Sequence, residues 1–190
     1  MLPVLFNPPS NPPSTQKLVD HIQRLSGVKV KVMTWDADPL WLERPGLQNE
    51  AFRYVARTVK EPFLWLEQDS IPLTKDWLTK IKDRWEECSA DTMCLISTDR
   101  QTPHDLMGGI GVYRPEVGDH IPPVLLTRGF DEHIVNKTGL KIERTGLIQH
   151  SYGNYDIDGN AHPHKFPRDS WILRESSVIF HSDKTQSLIK

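Results

Sequence analysis

Cysteine is nearly missing from this chain of 190 residues, which holds only Cys88 and Cys94. The two form no pair with metal-ligand spacing and nothing in them implies secretion, so both read as buried free thiols in a reducing, cytoplasmic setting. Long apolar runs are missing too. None approaches the roughly 20 residues that a membrane span requires. The start, Met1-Leu2-Pro3-Val4-Leu5-Phe6, has neither the charged first region nor the long apolar core of a secretory signal. An excess of one charge is also absent. The 23 Lys and Arg against 25 Asp and Glu leave a net of −2, which excludes a global basic field for nucleic acid. A local basic groove stays open through Lys29, Lys31, Arg53, Arg57, Lys60, Arg128, Lys137, Lys141 and Arg144. No internal repeat, low-complexity tract or domain boundary interrupts the sequence. With 37% hydrophobic and 25% charged residues, the composition predicts one globular domain over 1–190 with a real core.

What is present alternates between strand and helix signals. Leu2-Pro3-Val4-Leu5-Phe6 reads as a first strand. Residues 7–14 carry Pro8, Pro9, Pro12 and Pro13 and form a loop, after which Ser14 caps a helix over 15–25, with Leu18, Ile22 and Leu25 at helical spacing. Ser26-Gly27 ends it. Val28-Lys29-Val30-Lys31-Val32 alternates with period two and predicts a second strand with one polar face. This βαβ opening predicts an α/β sheet. Further helices are predicted over 49–58, with Phe52, Val55 and Ala56 toward the core, and over 75–88, with Trp77, Leu78, Ile81 and Trp85 on one side. Strands are predicted at 63–66, 93–96, 108–113, 140–147 and 177–180, and a short helix at 130–136. Residues 36–47 and 150–168 read as loops, the second of a length often tied to function.

The most informative stretch is Pro62-Phe63-Leu64-Trp65-Leu66-Glu67-Gln68-Asp69-Ser70-Ile71-Pro72. A buried apolar strand ends in carboxylates at i and i+2, and strand alternation turns Glu67 and Asp69 to one face. Open α/β sheets place their ligands at the carboxyl ends of strands. Carboxylate oxygens there suit a hard divalent cation, which in turn holds a diphosphate. The plainer reading is an acidic strand end that caps a turn. Near the other terminus an apolar strand runs into His181, followed by Lys184. An imidazole nitrogen suits manganese better than calcium, and a lysine ammonium is a point charge for a phosphate oxygen. Gly109 and Gly111 mark a strand approached closely by a ligand or another backbone. Trp65, Trp77 and Trp85 fall at core-facing spacing. Trp35, at the end of the second strand, is placed to stack on a base or sugar, with Asp36 beside it for a ribose or base edge. Asn49 and Arg53 stand one helical turn apart, where an ordinary exposed face is the competing reading.

In chain order, Asn49-Glu50-Ala51-Phe52-Arg53, the 62–72 stretch with Trp77, Met107-Gly108-Gly109-Ile110-Gly111-Val112-Tyr113-Arg114 and Val178-Ile179-Phe180-His181-Ser182-Asp183-Lys184 resemble nucleotide-sugar glycosyltransferases of the GT-A fold, over residues 49–184. The resemblance implies an α/β fold with a Rossmann-like mixed sheet flanked by helices. It implies a divalent metal, Mn2+ or Mg2+, on Asp69 and His181, with Glu67-Gln68-Asp69 standing for the family's Asp-x-Asp. Glu67 departs from that pattern, and its longer side chain favours contact through water. A nucleotide-sugar donor, first a uridine diphosphate sugar, would meet Asn49, Arg53, Gly108, Gly109 and Lys184. Asp131, and after it Glu132, lies where inverting members place an acidic base. A helix N-terminal acid favoured by the dipole is the other reading, and a retaining enzyme needs no base.

The chemistry agrees with that resemblance. A diphosphate leaving group needs its charge neutralised, which a divalent ion does as a Lewis acid, and a base takes the proton of the acceptor hydroxyl. The acceptor is expected to be a saccharide or, for a compact enzyme of bacteriophage type in the host cytoplasm, a hydroxymethylated base in DNA. His104, Asp105, His150, His162 and His164 are candidates for shaping that side. Two other classes remain. A nucleotidyltransferase needs a loop rich in Gly, Lys and Arg after the first strand, where this chain has Asn7-Pro8-Pro9-Ser10-Asn11-Pro12-Pro13. A non-catalytic nucleotide-sugar-binding module would be free to lose Glu67, Asp69, His181 and Lys184, all of which are present.

Overall fold

A computed structural model describes residues 1–7, 12–34, 46–68, 70–96, 109–123, 129–150 and 178–181, the side chains of 12–14, 46, 94–96, 137, 148–150, 180 and 181 apart. In chain order the elements are β1 (Leu2–Asn7), α1 (Pro12–Ser26), β2 (Lys31–Thr34), α2 (Gly46–Thr58), β3 (Phe63–Leu66), β4 (Ser70–Pro72), α3 (Trp77–Glu86), β5 (Thr92–Ile96), β6 (Gly111–Tyr113), a 3-10 turn (Pro115–His120), α4 (Phe130–Lys137), β7 (Ile142–His150) and β8 (Ile179–His181). Among the described residues the strands form a mixed sheet in the order β2-β1-β3-β6-β5-β7-β8-β4. β1 runs parallel to β2 and β3, and β7 parallel to β5 and β8, while β6 and β4 are antiparallel to their neighbours.

Period-two burial makes the two faces. Leu5, Leu64 and Leu66 pack on one side against Leu18 and Ile22 of α1 and Trp77, Ile81 and Trp85 of α3. Val4, Phe6, Phe63 and Trp65 pack on the other against Phe52 and Val55 of α2, Val117 and Phe130. The tryptophans expected in the core are there: Trp77 is fully buried and its indole Nε1 donates to Ser26 Oγ at 3.0 Å, tying α3 to the end of α1. Cys88 is a buried free thiol, as expected. Gly118 of the 3-10 turn lies so close to Ala56 of α2 that a side chain there would collide with it.

Several boundaries differ from the sequence expectation: α2 begins at Gly46, inside the expected 36–47 loop, β7 spans Ile142–His150 against 140–147, and β4 has no counterpart among the predicted strands. Three further differences have a plain physical reason. Ladder pairing of β2 starts at Lys31 opposite Val4, and not at Val28. Val28 and Val30 still pack against the core, but Val32 is 40% exposed and Met33 is the buried residue. An edge strand pairs on one side only, so alternation alone did not fix which residues join the ladder. α1 begins at Pro12, two residues before the expected cap Ser14, because proline is tolerated in a first helical turn. β6 begins at Gly111 and not at 108, because Gly109 has a φ of +73°, incompatible with a strand.

The sheet cannot be flat. Five strand-to-strand steps separate β3 from β4 along it, about 24 Å at ~4.8 Å each. Only residues 67–69 join the two strands, a link that reaches about 14 Å from Leu66 to Ser70. β7 resolves the conflict. Its pairing with β5 advances from Arg144 to Ile148 while β5 advances only from Cys94 to Ile96, a bulge that contains Gly146 at φ +68°. Beyond the bulge β7 pairs with β8, and β8 with β4. The far end of the same sheet thus returns toward the carboxyl end of β3, where the chain turns at Glu67 and Ser70.

Candidate functional site

β3 stops at Leu66, and its chain then turns. The Ser70 N–H donates to the Glu67 carbonyl and the Glu67 N–H to Ser70 Oγ, both at 3.0 Å. The expected alternation that set Glu67 and Asp69 on one face therefore does not extend past Leu66, because a hydrogen-bonded turn replaces the extended backbone. β6 is antiparallel to β3, with Gly111 opposite Trp65, so the chain entering β6 lies beside the chain leaving β3. There Gly109 abuts the Glu67 carboxylate: a Cβ on Gly109 would stand 2.7 Å from Glu67 Oε1 and 3.8 Å from Phe130 Cζ. The Tyr113 hydroxyl fixes that approach by donating to the Gly109 carbonyl at 2.6 Å. Gln48 Nε2, from the first turn of α2, donates a short hydrogen bond to the same Oε1.

Asp131 opens α4 next to this carboxylate. Phe130 stacks on Phe52 with ring centroids 4.0 Å apart, which pins the start of α4 against α2. Asp131 is half-buried, and its carboxyl is raised above the ordinary aspartate value. Desolvation is the largest cause, the negative charges of Glu67 and Glu132 add to it, and a hydrogen bond from the Glu132 backbone opposes it. Glu132 is half-buried one position on.

Asn49 and Arg53 are not on an exposed face. They are 1% and 7% exposed, and Arg53 Nη1 pairs with Glu50 at 3.1 and 3.2 Å, while its Nε has no hydrogen-bond partner among the described residues. His181 closes β8, and its register partner is Ser70 on β4 and His150 on β7. The turn at 67–70 and the chain's predicted histidine ligand thus meet across one ladder. Asp69, Trp35, Asp36, Gly108, Lys184, His104, Asp105, His162 and His164 lie outside the described residues. Among the described residues no group of three or more His, Cys, Asp or Glu gathers in a metal-holding cluster.

Sequence reasoning missed a buried polar chain along the same sheet edge. Gln68 Nε2 donates to Thr15 Oγ1 at 3.0 Å, Thr15 Oγ1 to Asn7 Oδ1 at 2.6 Å, and Asn7 Nδ2 to Thr34 Oγ1 at 3.3 Å. The signal was present: Thr15 shares the stripe of Leu18 and Ile22 at i, i+3 and i+7, a polar residue on a core-facing face.

Gly109 gives a direct test of this packing. Gly109→Ala is expected to cost about 1–2 kcal/mol through its left-handed backbone alone and to push the Glu67 carboxylate off Gln48. Chemical denaturation reads the first effect, and an unchanged midpoint would contradict the assigned backbone.

No family model and no curated protein sequence matches the chain. Solved structures do. A glycosyltransferase involved in glycosylation of the major capsid of PBCV-1 is 11% identical, with a TM-score of 0.60 over 99% of this chain and 96% of that one. An active-site mutant of LgtC is 11% identical, with 0.57 over 96% and 87%. A Drosophila β-1,4-galactosyltransferase 7 mutant in complex with manganese, UDP-Gal and xylobiose is 18% identical, with 0.52 over 92% and 76%. The chain shares the fold of these structures, the GT-A fold.

Proposed function

We propose that this protein is a glycosyltransferase that moves a sugar from a nucleoside diphosphate donor, first a UDP sugar, to an acceptor hydroxyl. One observation carries the reading beyond the fold: the turn at 67–70, the bare Gly109 and the strand end at His181 converge at one edge of the sheet. The residues fit a divalent cation in their chemistry. Asp69 and Glu67 offer oxygen and His181 nitrogen, the mixed set that suits manganese, and His181 is in register with the neighbour of Asp69. Such an ion, when bound, neutralises charge on the leaving diphosphate. The protein's own residues do the rest. Lys184 holds a phosphate oxygen, Trp35 and Asp36 take the nucleoside, and Asn49, Arg53, Gly108 and Gly109 border the donor. Asp131, its carboxyl raised by burial, takes the proton of the acceptor hydroxyl, with Glu132 as its alternative.

A saccharide is the favoured acceptor, in line with the xylobiose held by the Drosophila enzyme. The basic groove that a DNA acceptor needs loses one member: Arg53 is buried and paired with Glu50. Calorimetry of UDP with and without Mn2+ tests the proposal. Mn2+ is expected to tighten UDP at least about tenfold, as for a cation bridging protein carboxylates and phosphates. Metal-independent or absent UDP binding would overturn it.

A further inference from the structure

Helix α1 touches the chain at Gln68 in the turn and at Pro72 at the end of β4, two points that flank Asp69 in the sequence. Before it, Gln68 Nε2 donates to Thr15 Oγ1 at 3.0 Å. After it, the Pro72 carbonyl accepts from His21 Nε2 at 2.9 Å, which fixes the proton of that imidazole on Nε2. Thr15 is itself anchored, since its hydroxyl donates to the buried Asn7 at the end of β1. The packing of α1 does not depend on these two bonds, because Leu18 and Ile22 between them are fully buried in the core.

We infer that Thr15 and His21 are positioning residues that hold Gln68 and Pro72, and so steady the segment that carries the proposed metal ligand Asp69; the metal half of this inference rests on the function proposed above. A ligand on a turn is free to drift unless outer contacts fix its backbone. Within the turn, Glu67 and Ser70 bond to each other through Ser70 N–H to the Glu67 carbonyl and Glu67 N–H to Ser70 Oγ. The sheet holds the segment from Ser70 onward and Gln48 of α2 holds the Glu67 carboxylate, while α1 supplies the contacts to Gln68 and Pro72 that flank Asp69.

Two measurements on Thr15→Val, Thr15→Ser, His21→Leu and Gln16→Ala decide it. Gln16 is an exposed neighbour bonded to Asp20 and serves as control. The first is amide hydrogen exchange of Ser70, compared with the β3 amides. The second is Mn2+ titration in the presence of UDP. Thr15→Val and His21→Leu are expected to speed Ser70 exchange about five- to tenfold, the loss of one modest hydrogen bond, with β3 unchanged. They are expected to weaken Mn2+ about tenfold, the usual loss for an outer contact of a metal ligand. Thr15→Ser restores both, and Gln16→Ala changes neither. Equal acceleration in β3 would mark a merely structural role and overturn the inference, as would unchanged Ser70 exchange or unchanged Mn2+ affinity in both variants. If the parent protein shows no Mn2+-dependent UDP binding, the proposed function falls, while Ser70 exchange still decides whether α1 holds the turn. Should Thr15→Val not fold, Gln68→Leu removes the same bond from the turn side.

Discussion

Asp131→Asn is expected to lower sugar transfer by about 10²–10⁴-fold, the usual contribution of a positioned base, while raising stability at neutral pH. The two effects have one origin. Desolvation, with the charges of Glu67 and Glu132, lifts the folded-state pKa of Asp131 above the ordinary 3.8. The folded protein therefore holds this proton more tightly than the unfolded chain does. Its stability falls as pH rises from 3.8 through the raised value, and the full penalty is present above it. Asparagine cannot ionise and escapes the penalty. The stability gap between variant and parent, measured by denaturation with chelator present, should be smallest near pH 3.5 and widen toward neutrality. In the parent, activity should gain on the same limb as the base ionises. A variant that is less stable at pH 7 and keeps its activity would remove Asp131 from the role.

Asp69→Ala should abolish metal-dependent donor hydrolysis and transfer, and His181→Ala should lower both by at least about 10²-fold, within the scale of a lost electrostatic stabiliser. The expected difference follows from their chemistry, since the carboxylate brings charge as well as a donor atom and the imidazole brings only a donor. Ser70, next to Asp69 in the sequence and opposite His181 in the ladder, is fully buried, so both variants need a folding control. Thermal denaturation without metal should separate from that of the parent far less than it does with Mn2+ and UDP, because a ligand that binds only the folded state adds stability. Full activity in Asp69→Ala sinks the metal assignment.

The parts of this architecture written in local sequence were legible. Phe63-Leu64-Trp65-Leu66 is an unbroken apolar run, and all four residues are buried. Trp77, Leu78, Ile81 and Trp85 recur at helical spacing and are the buried face of α3. Gly111 announced a close backbone: a Cβ there would stand 2.8 Å from the Met93 carbonyl. Gly109 announced a close neighbour too, but only the fold reveals it as the Glu67 carboxylate. Pairings of that kind depend on which strands become neighbours, and no local period encodes this. The same is true of Gln48 on Glu67 and of Thr15 between Asn7 and Gln68. Asn49 and Arg53 were found as a pair, yet their burial depends on what packs over α2, which the helix's own pattern leaves open.

The return of the sheet through β7 sets an order of assembly. β4 is made directly after β3, but its ladder partner among the described residues, β8, lies roughly a hundred residues further along the chain. Pairings so distant in sequence carry a large loop-closure cost and form slowly. A nascent chain that has already completed β1, β2, β3 and the helices over them still lacks the strand that frames the acidic turn. The scaffold can mature early, while the edge at Ser70 stays open until the β8 segment emerges and docks. Such an exposed strand edge is a template for misplaced pairing in the interval, and its closing residue is the same His181 on which the proposed chemistry depends.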